Sequence, residues 1–281
     1  MTYNEMLREA KANHYAVPQI NINDAMWIEP ILKAAMSMRS PIIIATSDKL
    51  TDAFGGYHFI AQTIKQTIQT MDVDIPAMIH LDHSLSVDHC KQAVEAGYDS
   101  VMFDGSKLSI DDNVTYTSEV VEAAHPQGIA VEGEIGGVGG QEDGIEGEVK
   151  YARLEDCLRL VNEAQADVIA PALGSAHGEY KGEPKLGFDL MSEINDAVQV
   201  PLALHGATGI SEDDLTHAIQ LGHAKINFNT EVKKAWAQKL REVLDNDPSL
   251  YEPQSIIQPA KDAIEAAVTR LIQTCHSDGK A

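Results

Sequence analysis

IPAMIHLDHSLSVDHCKQAVEAGYDSVMFDGS, residues 75–106, decides how this chain is read. An apolar run over 75–83 ends in Asp and His, and Ser86 stands where a helix start needs a capping hydroxyl. Residues 87–96 carry helical periodicity, and a second β-rich run follows at 100–106. Strand, helix, strand in that order is the unit of a parallel sheet. The unit recurs on both sides. Further strands are expected at 16–23 (AVPQININ), 41–47 (PIIIATS), 129–136 (IAVEGEIG), 168–175 (VIAPALGS), 201–209 (PLALHGATG) and 224–230 (AKINFNT). Helices are expected over 113–124, 154–165 and 213–221, the last opened by Ser211 with Asp214 three residues on. Eight strands alternating with helices predict a (β/α)8 TIM barrel. A doubly wound open sheet would show fewer units and a GxGxxG turn after its first strand, and none follows Asn23. Residues 1–281 are read as a single barrel domain, with extra C-terminal helices from Glu231 onward.

With 44% hydrophobic residues the chain can bury a large core, which excludes general disorder. Its net charge of −22 argues against a nucleic acid or an anionic membrane as partner, because counterion release needs Lys and Arg. No apolar run nears the ~20 residues that span a bilayer. The opening MTYNEMLREAKANH lacks the basic flank and apolar core of a secretory signal. Cys90, Cys157 and Cys275, odd in number and without a CxxC pair, suit a reducing compartment, so a cytoplasmic location is expected. An anionic substrate must then be held by local devices against an unfavourable overall field.

Polar residues foreign to a core fall at the C-terminal ends of the strands. In order they are Asn21 and Asn23, Ser47, Asp82 and His83, Asp104 and Ser106, Glu132 and Glu134, Ser175 and His177, His205 and Thr208, and Asn227 and Asn229. In a barrel those ends converge on one rim, where barrel enzymes keep their chemistry. His83, His177 and His205 come from three strands, and three imidazoles with one position left open make a catalytic zinc or similar divalent site. Asp82 is placed either to move a proton on a group the metal polarises or simply to orient His83. Asp104 and Glu134 read as alternative ligands or as hydrogen-bonded support, and His80 as a buried partner or plain packing. His14, His58, His89, His125, His217, His223 and His276 read as solvated. Neither Lys107, after a strand, nor Lys225, at the start of one, suggests a Schiff-base lysine.

Residues 132–147 (EGEIGGVGGQEDGIEG) hold seven glycines and five acids. With so few side chains to pack, no rigid strand or helix is expected beyond Gly136. The segment is either a mobile loop that delivers Glu142 or Asp143 as acid or base, or a surface loop without that role. Phosphate-holding devices follow: Gly178 and Lys181 in HGEYKGEPK, the turn Gly206-Ala207-Thr208-Gly209, and Asn227-Phe228-Asn229-Thr230 before a long helix. Backbone N–H groups at such turns and helix starts bind phosphate without net positive charge.

HLDH (80–83), VEGEIGGVGGQED (131–143), ALGSAHGEYKGEPKL (172–186), LHGATGI (204–210) and KINFNTE (225–231) together resemble the class II, metal-dependent ketose-bisphosphate aldolases over about residues 1–275. That family includes fructose-1,6-bisphosphate and tagatose-1,6-bisphosphate aldolases. The resemblance implies that His83, His177 and His205 hold one catalytic zinc per subunit, with Glu134 and Asp104 linked to the metal. It implies Asp82 as acid/base on the C4 hydroxyl and Glu142 as the group exchanging a proton with the dihydroxyacetone-phosphate carbon. Gly178, Lys181, Gly206, Thr208, Asn229 and Thr230 match the C1-phosphate cradle, with Asn227 beside it and Asn21 and Ser47 at further active-site positions. Lys233 stands where some relatives reach the second phosphate. A monovalent cation (Na+ or K+) on nearby backbone carbonyls and a homodimer or homotetramer are implied as well.

There are departures. Ser84 follows His83 where the family usually has Gly, Ala, Cys or His. HGATG, with Ala207, and Lys233 lean toward tagatose-type members, whereas YKGEPKLGF leans toward fructose-type members of Gram-positive bacteria. The reaction expected is reversible cleavage of a ketose 1,6-bisphosphate to dihydroxyacetone phosphate and glyceraldehyde 3-phosphate. Fructose 1,6-bisphosphate is the favoured substrate, with tagatose 1,6-bisphosphate or another phosphorylated keto-sugar as alternative. A metal-dependent barrel hydrolase would want an HxH pair on its first strand, absent from AVPQININ. A non-catalytic metal-binding role would leave Asp82, Glu142 and the phosphate-type turns without purpose.

Overall fold

The computed structural model describes residues 1–142, 145–147, 150–178 and 184–281, and for 141, 142, 145–147 and 177 the backbone alone. Eight parallel strands close into a barrel in chain order. They are β1 (Val17–Asn21), β2 (Ile42–Ser47), β3 (Ala77–Ser84), β4 (Ser100–Phe103), β5 (Ala130–Ile135), β6 (Val168–Pro171), β7 (Leu202–Leu204) and β8 (His223–Phe228). β8 returns to β1 with Val17 opposite Lys225 and Gln19 opposite Asn227. All eight expected strands are present. The longest overreach is at 201–209, where Leu202–Leu204 alone is strand and HGATG turns away from the ladder.

Helix α1 (Tyr3–Ala12) precedes β1, and α2 (Ile28–Met38), α3 (Asp48–Ala53), α4 (Tyr57–Thr70), α5 (Val87–Ala96), α6 (Ile110–Ala124), α7 (Leu154–Asn162), α8 (Phe188–Val198) and α9 (Glu212–Gln220) lie between strands. The long α10 (Thr230–Asn246) and α11 (Pro253–Thr274) follow β8, as the sequence predicts. Helix starts are set locally. Ser86 accepts from the His89 amide, Ser211 from the Asp214 amide, and Thr2 forms a full capping box with Glu5. Each such cap contributes about 1 kcal/mol.

The continuous apolar run of β2 has a simple cause: both of its faces are covered. Ile42 and Ile44 pack outward among the helices, while Ile43 points into the barrel. There it joins a floor of Val17, Met78, Ala130, Val168 and Ala203, closed from below by Tyr3, Met6, Leu7 and Ala10 of α1. Two residues further along β1, β3 and β5 the same face turns polar, with Gln19, His80 and Glu132, and Lys225 of β8 joins them. Two more bring Asn21, Asp82, Glu134 and Asn227 to the rim. Period-two alternation thus stacks an apolar layer, a polar layer and a rim layer inside one barrel.

Two expectations are corrected. Beyond Gly136 the glycine-rich segment does form strand: Gly139–Glu142 pairs antiparallel with Ile145–Gly147 and parallel with Ala176–His177. Pairing uses backbone N–H and C=O groups, which glycine supplies as well as any residue. Gly136 itself is required, since its φ is 86° and a Cβ there would sit 2.5 Å from the Lys150 carbonyl oxygen. His223, read as solvated, is completely buried at the start of β8, where Nδ1–H donates to the Ala218 carbonyl at 3.1 Å. Burial of the neutral ring pushes its pKa down to about 4.

Candidate active site

Asp82 and His83 are neighbours in sequence, and a regular strand would aim them at opposite faces. β3 avoids this with a one-residue irregularity: Leu81 is opposite Val101, but Ser84 is opposite Phe103. His83 takes up the extra residue with a left-handed φ of 50°. Both side chains therefore reach the rim.

Around them the strand ends meet. His83 Nε2 faces His205 Nδ1, just past β7, at 2.7 Å, with the rings perpendicular. The outer nitrogen of each ring is backed by a carboxylate. His83 Nδ1 lies 3.0 Å from Asp104 Oδ2 and 3.4 Å from Glu134 Oε2, and His205 Nε2 lies 2.8 Å from Glu132 Oε1. Asp82 accepts from Asn21 Nδ2 at 2.8 Å and from Asn227 Nδ2 at 3.1 Å, one amide on each carboxylate oxygen. Asp104 is steadied in turn by the Ser106 amide and hydroxyl.

The electrostatics follow from burial opposed by partners. Burial alone would raise Asp82 and Glu132, but His83 and His205 beside the first, and Lys225 and His205 beside the second, hold both carboxyls well below the usual range. Asp104 is likewise kept to about 2, chiefly by His83. Glu134 goes the other way: burial and the Asp104 charge raise it well above an ordinary glutamate. Burial would lower His83, yet Asp82, Asp104 and Glu134 outweigh it and raise the ring. Burial and the neighbouring His83 push His205 down to about 4.

This donor set fits a divalent cation. With both outer N–H groups directed at carboxylates, the inner nitrogens of His83 and His205 share a single proton between them at 2.7 Å, a position that a cation can take in its place. Glu134 Oε2 is buried with no hydrogen bond among the described residues, a further donor at the same place. Asp82, His83 and His205 form one group with ligand atoms within 4.8 Å, and His83, Asp104 and Glu134 form another.

The structure thus brings together Asp82, His83, His205, Asp104, Glu134, Asn21 and Asn227. Ser47 ends β2 with its Cα opposite Asp82. Gly178 and Gly206 are left-handed, at φ of 86° and 67°, and Thr208 lies in the half-buried turn after His205. Asn229 stands at the N-cap position of α10 and its Oδ1 accepts from Asn23, while Thr230 and Lys233 sit in the first turn of that helix. The backbones of His177 and Glu142 lie in the small sheet, with His177 opposite Gly140. Their side chains, and Lys181 and Asp143 altogether, lie outside the described residues.

Sequence reading undervalued Lys225 and Glu132 here, while His80 is buried, as one of its two readings has it. Lys225, read as beginning a strand, is the third residue of β8 and fully buried, its ammonium on Glu132 and Asn227. Glu132 backs His205, and His80 is buried with Nδ1 3.0 Å from Ser100 Oγ. A signal existed: Gln19-x-Asn21, His80-x-Asp82, Glu132-x-Glu134 and Lys225-x-Asn227 each place two polar residues on one face of a strand.

Comparison with known proteins agrees with this arrangement. The model of the family described as fructose-bisphosphate aldolase class-II matches residues 1–280. A 6-phospho-5-dehydro-2-deoxy-D-gluconate aldolase of Halalkalibacterium halodurans is 47% identical over 277 residues, covering 99% of this chain and 96% of that one. A fructose-bisphosphate aldolase of Geobacillus stearothermophilus is 46% identical over 278 residues, covering 99% and 97%. Among solved structures, the YdjI aldolase of Escherichia coli K12 superposes with a TM-score of 0.86 at 29% identity, covering 99% and 98%. The chain belongs to the class II fructose-bisphosphate aldolase family and is a lyase. The family is generally metal-dependent and acts on phosphorylated sugars. Among the described residues no helix is long and apolar enough to cross a membrane.

Proposed function

We propose that this chain reversibly splits a ketose phosphate and releases dihydroxyacetone phosphate, with fructose 1,6-bisphosphate as substrate. The observation that carries the reading is two carboxylate-backed imidazoles facing each other beside Asp82, itself held between two amides. His83, His205 and His177 would hold a divalent cation, with Asp104 and Glu134 close by, and such an ion would supply positive charge to the substrate's carbonyl and hydroxyl oxygens. Zinc suits these donors.

Asp82 takes the proton of the hydroxyl on the carbon that becomes the aldehyde. Asn21 and Asn227 fix its orientation, and each carboxylate oxygen keeps a lone pair for the task. Glu142 returns a proton to the carbon of the dihydroxyacetone phosphate half. The phosphate is assigned to Gly178, Lys181, Gly206, Thr208, Asn229 and Thr230, because left-handed glycine amides and the start of α10 hold an anion against a net charge of −22. Asn227 and Ser47 contact the sugar, and Lys233 receives the far anionic end. A Na+ or K+ ion near the phosphate, a cytoplasmic location and a homodimer or homotetramer complete the proposal.

A second reading is favoured by the relatives of 44–47% identity named 6-phospho-5-dehydro-2-deoxy-D-gluconate aldolase. That compound has the same ketone beside a phosphorylated carbon, but its far end is a carboxylate. Release of dihydroxyacetone phosphate from fructose 1,6-bisphosphate, tagatose 1,6-bisphosphate and this acid, compared as kcat/KM with and without chelator, separates the readings. No release from any of the three by metal-replete protein would overturn the proposal.

A further inference from the structure

Lys225 lies inside the barrel on β8, one layer below the rim, with no solvent exposure. Its ammonium carries three protons, and three acceptors surround it: Glu132 Oε1 at 3.0 Å, Glu132 Oε2 at 2.9 Å and Asn227 Oδ1 at 2.9 Å. A lysine so engaged has no lone pair for attack on a carbonyl. What its three bonds do is orient two other groups. Glu132, gripped on both oxygens, accepts from His205 Nε2 at 2.8 Å. That bond, shorter and to a charged acceptor, outweighs the Asn227 Nδ2 contact with the same nitrogen at 3.3 Å, so the proton sits on Nε2 and the Nδ1 lone pair faces His83. Asn227, with Oδ1 on the ammonium, has Nδ2 left for Asp82 Oδ1.

We propose that Lys225 is the positioning residue of this centre: through Glu132 it selects the His205 nitrogen offered to a divalent cation, and through Asn227 it aims the amide that holds Asp82. The inference rests on the roles assigned above to His205 and Asp82. An ion pair that merely fills the core behaves differently, because two apolar side chains of similar volume replace it without loss.

The test compares Lys225→Met with the double variant Lys225→Met/Glu132→Met, which removes both charges together. Four quantities are read: Zn2+ affinity of the apoprotein by competition with a chromophoric chelator, the visible spectrum of the Co2+ form, kcat against KM, and thermal unfolding. The double variant is expected to melt near the parent yet bind Zn2+ roughly 10–100-fold more weakly, with an altered cobalt band. Its kcat should fall at least about tenfold while KM moves by less than about threefold, since the phosphate-holding turns are untouched. Parental affinity, spectrum and kcat in the double variant would overturn the proposal. Should that variant not fold, 15N imidazole shifts of His205 in the unaltered apoprotein decide: an Nε2–H tautomer supports the role and an Nδ1–H tautomer refutes it. Failure of the underlying site reading looks different, since His205→Ala would then retain the metal.

Discussion

Replacing Asp82 by Asn changes one oxygen to an NH2 group at nearly constant volume. Each Asp82 oxygen accepts from an amide, Asn21 on one side and Asn227 on the other. Neither amide can turn to help. Asn21 Oδ1 is held by Gln19 Nε2 at 3.1 Å, and Asn227 Oδ1 by Lys225 Nζ at 2.9 Å. The new NH2 must therefore face an NH2, and one buried donor loses its partner, costing about 1–3 kcal/mol of stability. Loss of a positioned general base costs a further 10²–10⁴-fold in kcat, as an order of magnitude. The assay is dihydroxyacetone phosphate release by metal-replete variant and parent, with metal content and melting temperature measured on the same samples. The expected result is a protein that keeps its metal, melts a few degrees lower and turns over at most about 1% as fast. Turnover within about tenfold of the parent at full metal content would refute the assignment and leave Asp82 as the carboxylate that orients His83.

Other outcomes follow from the same geometry. His205→Ala should lose most bound metal on dialysis while its far-ultraviolet circular dichroism stays parental; unchanged metal stoichiometry would count against ligation. His223 should make the protein acid-sensitive. Its ring is neutral when folded, with a pKa of about 4 against roughly 6.5 when unfolded, so its contribution is complete above pH 6.5 and is lost as pH falls toward 4. About 2 kcal/mol of that is gone by pH 5, which urea unfolding of parent and His223→Asn at pH 7 and pH 5 would measure as a difference in slope. An identical pH dependence in both proteins would refute it. Gly206→Ala should raise KM more than it lowers kcat, because a Cβ there meets the Ala176 carbonyl oxygen at 2.5 Å in a left-handed turn; an unaltered KM would remove that turn from phosphate binding.

Much of this was legible in the sequence because barrel strands are short, apolar and regularly spaced. PIIIATS reads as strand since both of its faces are buried, and HLDH marks a rim since acids and imidazoles have no other reason to end an apolar run. The burial of Lys225 and of His223 is not legible there, for a physical reason. LGHAKINF looks like a surface turn entering a strand, and what allows Lys225 to be buried is Glu132, 93 residues earlier. The pairing of Gly139–Glu142 with Ala176–His177 escaped as well, because a backbone ladder across that distance leaves no side-chain pattern in glycine.

Separation along the chain has a consequence for how the protein matures. His83 and His205 are 122 residues apart, and Asp82 and Asn227 are 145 apart. No ribosome-bound intermediate lacking β8 can assemble this centre, however well its early strands have formed. Competence arrives with ring closure, late and all at once, so metal uptake during refolding should track the final step of the reaction rather than the first collapse.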